Sequence, residues 1–360
     1  MKIGTLRAER LRSHRLTAPV PTVTAAAQHM LAVQSQDFAA GRWALAVRTR
    51  GAATLRTVDR AFDRGDLVRA WTMRGTLHTI PARDLRWVLS VTSERQRQQA
   101  ASRHRDLGID DEMVAAAARV LEPRLRDGGC TRAEVFALLE SVGIDPTGQR
   151  GLHLLFTLTI DGLICQGPVV PAPTASGITR EQRFVLVDEW IPDSAEPDDP
   201  LTELFVRYID GHGPAGAADF AWWSGLTLGA AREAASRAHG RVVEVEEGLF
   251  VAAARARRSA GAAAVHALGA FDEYYISYAD RTAVCAADDL AAVGPGKNGM
   301  VRPVVLADGV VAGVWRMPPT AARGGVEPIA ELFRSGEVDE VELRTALARY
   351  ADFLTADVRG

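Results

Sequence analysis

The chain has 360 residues, 47% hydrophobic and 24% charged, with a formal net charge of −3. That is a globular composition with room for two or three domains. No apolar run reaches the about 18 residues of a membrane helix. The basic N-terminus (MKIGTLRAERLRSHRL) lacks the apolar core of a secretory signal, so a cytoplasmic protein is expected. Cys130, Cys165 and Cys285 are odd in number and far apart, which fits reduced thiols rather than disulfides. No CxxC, HxxH, HExxH, GxxxxGK[ST] or strand-linked GxGxxG occurs. Neither a metal nor a nucleotide cofactor is expected.

The mean charge hides an asymmetry. Residues 1–107 hold 19 Lys and Arg against 8 Asp and Glu, a local +11, while the other 253 residues sum to −14. Such separation suggests one polyanion-facing region on an acidic body. Only Lys2 and Lys297 are lysines. Arginine suits bidentate phosphate contact, although GC-rich coding bias explains that choice equally well. Bias does not explain the segregation.

In chain order, Val23, Ala27, Met30 and Val33 recur at helical spacing behind Thr22 and Thr24. A second helical pattern carries Leu55, Val58 and Phe62, and LVRAWTMRGTLHTI then alternates around an Arg74–Gly75 turn as a hairpin. Helices followed by a hairpin make a winged helix. From Asp110, EMVAAAARVLEPRL, TRAEVFALLESVG and GQRGLHLLFTLTI read as helices, with Thr131 and Glu134 as a capping box, and GLICQGP as a strand. TELFVRYIDGHG, GAADFAWWSG and LGAAREAASRA, then the hairpin RVVEVEEGLFVAA, form a third set. Beyond it AVHALGAFDEYYISY and GMVRPVVLADGVVAGVWRM read as strands, turning at Asp308–Gly309, before an amphipathic terminal helix. The expectation is an α+β chain of three tandem winged-helix units (1–107, 108–187 and 201–260). An acidic linker (188–200) follows the second, and a β-rich C-terminal region (261–360) closes the chain.

AVQSQDF (32–38), RAWTMRGTLHTIPARDLRWV (69–88), GAFDEYYISYADR (269–281) and NGMVRPVVLADGVVAGVWR (298–316) occur in one order along nearly the whole chain. Together they resemble the bacterial winged-helix DNA glycosylases of the AlkZ type. The resemblance implies a DNA-sized channel and a monofunctional glycosylase that removes N7- or N3-alkylated purines. It extends to guanines in interstrand crosslinks, and to self-resistance in some producers of alkylating natural products. It also implies that Gln34 and Gln36 are the catalytic pair. A neighbouring branch carries an acid at the second place, where this chain has Gln36; Asp37 falls one position later.

Glutamine chemistry is sufficient for such lesions. N7-alkylation makes guanine a cationic leaving group, so no strong general acid is needed. A glutamine carbonyl can accept from a water while its NH₂ contacts phosphate or sugar. It cannot act as a base, so positioning and electrostatics must carry the rate. Asp37 is read as a helix-end residue, with sugar stabilisation as its other reading. On a helix i and i+2 point about 200° apart. The glutamines therefore share a side only if the helix ends near Val33 and the motif runs extended; Phe38, Gly41 and Trp43 favour such a break.

Arg42, Arg48, Arg50, Arg69 and Arg74 are candidate phosphate contacts, and His78, on the hairpin, is a candidate DNA-binding residue that could approach the lesion strand. Each is otherwise an ordinary turn, strand or surface residue. Lys297, Asn298 and Arg302 lie in a Gly-rich turn that either probes a groove or simply joins strands. Trp222, Trp223 and the Phe271/Tyr274/Tyr275/Tyr278 cluster are read as core. Asp272 and Glu273 are read as buried hydrogen-bonding partners of a neighbouring wing, with a catalytic role as the other reading. The expected partner is double-stranded DNA with alkylated or crosslinked purines, bound by a monomer without a membrane. A winged-helix regulator and a protein-interaction scaffold are the rival functions; collapse of binding with salt would separate DNA from protein partners.

Overall fold

The computed structural model describes residues 1–171, 178–254, 265–297, 299–318 and 327–355. The chain opens with α1 (Ile3–Ser13) and α2 (Val23–Met30), the second capped by Thr22, whose hydroxyl accepts the Ala25 N–H. The two-residue strand β1 (Val33–Gln34), α3 (Phe38–Val47) and α4 (Leu55–Asp63) lead to the hairpin β2 (Leu67–Met73) and β3 (Thr76–Pro81). Its turn residues Arg74 and Gly75 are both left-handed, at φ 54° and 66°, the backbone a two-residue type I′ turn requires.

Next come α5 (Leu85–Leu107), α6 (Asp111–Arg126), α7 (Arg132–Ser141) and α8 (Arg150–Ile160), then β4 (Ile164–Val169), β5 (Gln182–Leu186) and α9 (Val187–Trp190). The capping box of α7 forms as expected, Thr131 and Glu134 each accepting the other's backbone N–H. Then α10 (Pro200–His212), α11 (Ala217–Ser224) and α12 (Leu228–Arg237) precede the hairpin β6 (Val242–Glu246) and β7 (Leu249–Ala252). The remainder is β8 (Val265–Leu268), α13 (Glu273–Ile276), α14 (Leu290–Val293), β9 (Val304–Ala307), β10 (Val310–Arg316), β11 (Ile329–Leu332) and α15 (Glu340–Thr355).

This is an α+β architecture with antiparallel sheets. The first two hairpins share a five-stranded sheet of order β1-β3-β2-β4-β5, joined where Arg69 of β2 pairs with Gln166 of β4. The β6–β7 hairpin forms a two-stranded sheet bridged at Phe250 by Ala215, and the C-terminal sheet runs β11-β10-β9-β8. Apolar cores knit distant segments together. One joins α2–α4 to the C-terminal sheet and α15; a second joins the first hairpin and α5 to α10–α12; a third lies under α6–α8. At the first seam the indole N–H groups of Trp43 and Trp315 donate to the carbonyls of Ala267 and Leu268, both at 2.8 Å.

Two departures from expectation have local causes. AVHALGAFDEYYISY is a strand only as far as Leu268: Phe271 turns left-handed at φ 58°, and Asp272 caps α13 by accepting the Tyr274 N–H. No expected element covered residues 85–107, where α5 buries side chains mainly in its first half, up to Gln96. A helix half covered and half solvated shows no continuous apolar stripe. The expected boundary near residue 260 lies outside the described residues. Among the described residues no helix is long and apolar enough to cross a membrane, and no group of three or more His, Cys, Asp or Glu could hold a metal ion.

Candidate active site

The first helix of the motif ends earlier than expected, at Met30. Leu31, fully buried, takes φ 61° and turns the chain into β1. A left-handed non-glycine backbone is strained and persists here because packing holds it. Gln34 pairs with His78 across to β3, and the Ser35 N–H continues the ladder to the Leu77 carbonyl at 2.7 Å. Ser35 Oγ lies 2.8 Å from Thr79 Oγ1. The strand ends at Gln34 and Gln36 lies in the bend that follows, so neither glutamine sits on a regular helix, where i and i+2 would point apart. Phe38, Gly41 and Trp43 do not mark a break, however, because they belong to α3. Asp37 is that helix's N-cap, accepting the N–H groups of Ala39 and Ala40.

The two amides are held differently. Gln34 is buried, and its Oε1 accepts from Arg74 at 2.9 Å. Gln36 is exposed, and its Oε1 accepts the Leu77 N–H at 3.2 Å. Each carbonyl keeps a second lone pair. Arg74 also donates to the Trp223 carbonyl, so the hairpin turn is tied to α11.

Behind Gln34 lies Glu273, with no solvent exposure. Its Oε1 accepts the Gln34 backbone N–H at 2.7 Å, while Oε2 accepts from Trp223 Nε1 at 3.0 Å and from Ser277 Oγ. His212 Nε2 stands 3.6 Å from Oε2. Burial favours the neutral acid, but His212, Arg74 and His78 outweigh it and hold the carboxyl below its usual range. His78 is fully buried, its Nδ1 beside Thr72 Oγ1 and the Thr76 carbonyl, and burial lowers its imidazole to about 3. His14 is likewise fully buried and lowered, chiefly by burial.

An acid-stability prediction follows from these two histidines. Unfolded imidazoles titrate near ~6.5. Below that pH the unfolded chain binds protons that the folded chain refuses, so stability falls as pH drops. The slope approaches ~1.4 kcal/mol per pH unit per histidine. Melting temperature should therefore decline steadily from pH 7 to pH 5; a flat profile would contradict neutral burial.

Several expected DNA contacts are corrected by their surroundings. Arg42 is fully buried, bonded to Asp59 at 2.7 Å and the Thr179 carbonyl at 2.6 Å. Arg48 is fully buried in a two-bond pair with Asp272, at 2.9 and 2.8 Å. Neither can reach a phosphate. Arg69, also buried, donates to the Ser35 carbonyl at 2.8 Å and to Gln166 Oε1 at 2.8 Å, so it braces the glutamine motif from below. Buried His78 lies behind Gln34 rather than on the surface. Arg50, Lys297 and Arg302 are exposed and can face a polyanion, though Arg50 also donates to the Pro19 carbonyl and Arg302 to the Ala292 carbonyl and Glu331. Asn298 lies outside the described residues.

Trp223 is core, as expected. Trp222 is not: it is 45% exposed, with the Arg281 guanidinium 5.2 Å from its ring. Glu273 is buried and hydrogen-bonded, as expected; its bond to Gln34 and the part Trp223 plays were missed because the partners are hundreds or scores of residues away. The only signal was that Glu273 falls within a family-like segment.

Gly41 supports the motif by having no side chain. A Cβ there would overlap Ser35 Oγ and lie 2.7 Å from Ser35 Cβ. Gly→Ala inside a helix normally stabilises by ~0.5–1 kcal/mol. Here Gly41→Ala is expected to slow base release at least tenfold by displacing the strand between the glutamines. Base-release rates and melting curves measured together check this.

The fold and site define a class. A family model described as DNA glycosylase AlkZ-like matches residues 27–353, and the chain belongs to that family, whose members are hydrolases of N-glycosyl bonds. An interstrand DNA cross-link repair glycosylase of Streptomyces sahachiroi is 25% identical over 315 residues, covering 82% of each chain. The solved structure of Streptomyces sahachiroi DNA glycosylase AlkZ matches with a TM-score of 0.78 at 22% identity, covering 98% of this chain and 96% of that one. The resemblance read from the sequence is thereby borne out, and the regulator and scaffold readings are set aside.

Proposed function

We propose that this glycosylase removes cationic N7- or N3-alkylated purines from duplex DNA, interstrand crosslinks included, with Gln34 and Gln36 placing the attacking water. The observation that carries this reading is the Gln34-Ser35-Gln36 segment at the end of β1, where among the described residues each amide carbonyl accepts one hydrogen bond and so retains a lone pair for water. No carboxylate is among its side chains, which suits a leaving group that is already charged. The three sets of helices with hairpins are read as winged-helix units bounding a DNA-sized channel in a monomer. Arg50, Lys297 and Arg302 are its exposed phosphate contacts, with Asn298 beside them in sequence.

A crosslinked guanine cannot be extruded freely, since full flipping would drag the other strand. The partly exposed motif fits attack on an unflipped nucleotide. The crosslink-repair relative supports the same substrate class. The test is a duplex with one N7-linked interstrand adduct, analysed on a denaturing gel. Unhooking yields separable strands; persistence of the crosslink, with simple monoadducts still excised, would restrict the enzyme to monoadducts.

A further inference from the structure

We propose that Glu273 is the fixed negative charge of the reaction centre, a positioning residue that acts through Gln34 and Arg74 without touching DNA. It rests on the glycosylase reading above. Three observations carry it. Glu273 has no solvent exposure, yet it spends one oxygen on the Gln34 backbone and the other on Trp223 and Ser277. Arg74 bridges the Gln34 side-chain carbonyl and the Trp223 carbonyl, so carboxylate and guanidinium bind the same two residues. Arg74 and Glu273 act on each other electrostatically, although no direct ion pair joins them.

The chemistry explains why that charge is wanted. When the C1′–N9 bond of an N7-alkyldeoxyguanosine breaks, its electron pair goes to the purine, which leaves neutral. The positive charge passes to the deoxyribose until water adds at C1′ and gives its proton to solvent. Throughout, a cation lies beside Gln34, and Gln34 is bonded to cationic Arg74. Uncompensated, Arg74 would oppose that charge. Glu273 offsets it from within the protein, where reorganisation is small. Glutamine at this site can orient water but carries no charge, so the compensation comes from beneath the motif.

The test compares two duplexes by fluorescence anisotropy. One carries a neutral tetrahydrofuran abasic analogue, the other a pyrrolidine analogue whose protonated nitrogen mimics the cationic sugar. The wild type is expected to prefer the cationic duplex by roughly tenfold or more. Glu273→Gln should bring the two affinities within about twofold, leave neutral-duplex binding unchanged, and slow single-turnover base release by about 10–100-fold. A Glu273→Gln protein that binds the neutral duplex normally and keeps its cation preference overturns the proposal.

If that variant fails to fold, Arg74→Met decides. Removing the cation that Glu273 offsets should raise the preference above wild type, and an unchanged or smaller ratio overturns the proposal. The two readings fail separately. Absence of base release by the wild type defeats the glycosylase reading, whereas base release without any cation preference defeats only the role of Glu273.

Discussion

Gln34→Ala is expected to slow release of N7-methylguanine by about 10²–10³-fold, the loss that follows removal of one preorganised group at a developing charge. The substitution removes the amide that Arg74 orients at 2.9 Å and leaves the strand pairing with His78 in place. Its backbone bond to Glu273 survives, so the fold and the affinity for undamaged duplex should change little. Gln36→Ala should lose about tenfold, because Gln36 is exposed and, among the described residues, its carbonyl is engaged by the Leu77 N–H alone. Single-turnover rates with enzyme in excess separate these effects from binding. Equal losses for the two variants would mean that the motif has no division of labour.

Asp272→Ala should destabilise the fold by about 3–5 kcal/mol, as removal of one partner from a buried ion pair does. It leaves Arg48 charged and without exposure. It also uncaps α13, because Asp272 Oδ1 accepts the Tyr274 N–H at 2.9 Å. That short helix begins at Glu273, so activity should fall together with stability. Replacing both partners by apolar residues, Arg48→Met with Asp272→Leu, should cost less stability than Asp272→Ala alone. Urea unfolding of the wild type and the two variants measures this; a double variant as unstable as Asp272→Ala would assign the loss to the cap.

The ion pair also shows where sequence reasoning ran out. The +11 excess of residues 1–107 reads as a surface facing a polyanion, yet Arg10, Arg42, Arg48 and Arg69 point inward. Arg48 of the basic segment is neutralised by Asp272 of the acidic remainder. Part of the charge segregation thus records contacts between distant segments, and a sum over sequence cannot tell that from a DNA-binding face. Local signals fared better. The Thr22 and Thr131 caps, the Arg74–Gly75 turn and the Asp308–Gly309 turn depend on neighbours within a few residues, and each forms.

The glutamine motif was legible through resemblance, and its non-helical form through the geometry of i and i+2. Its support was not. The Glu273 carboxylate reaches Gln34 across 239 positions, and no periodicity encodes that. Trp222 and Trp223 are adjacent in sequence and opposite in fate, one exposed and one buried, because α11 packs only one of them against α10 and the Glu273 carboxylate.

The central claim is that a pair of glutamines, with no acid or base touching the substrate, places the water that hydrolyses a glycosidic bond whose base is already cationic. Its most direct test is single-turnover incubation of the purified protein with a duplex carrying one N7-methylguanine, scoring free base and abasic site together. The account predicts equal amounts of both from the wild type, a loss of two to three orders of magnitude for Gln34→Ala, and no release of unmodified guanine. Release that is absent from the wild type, or undiminished in Gln34→Ala, would contradict it.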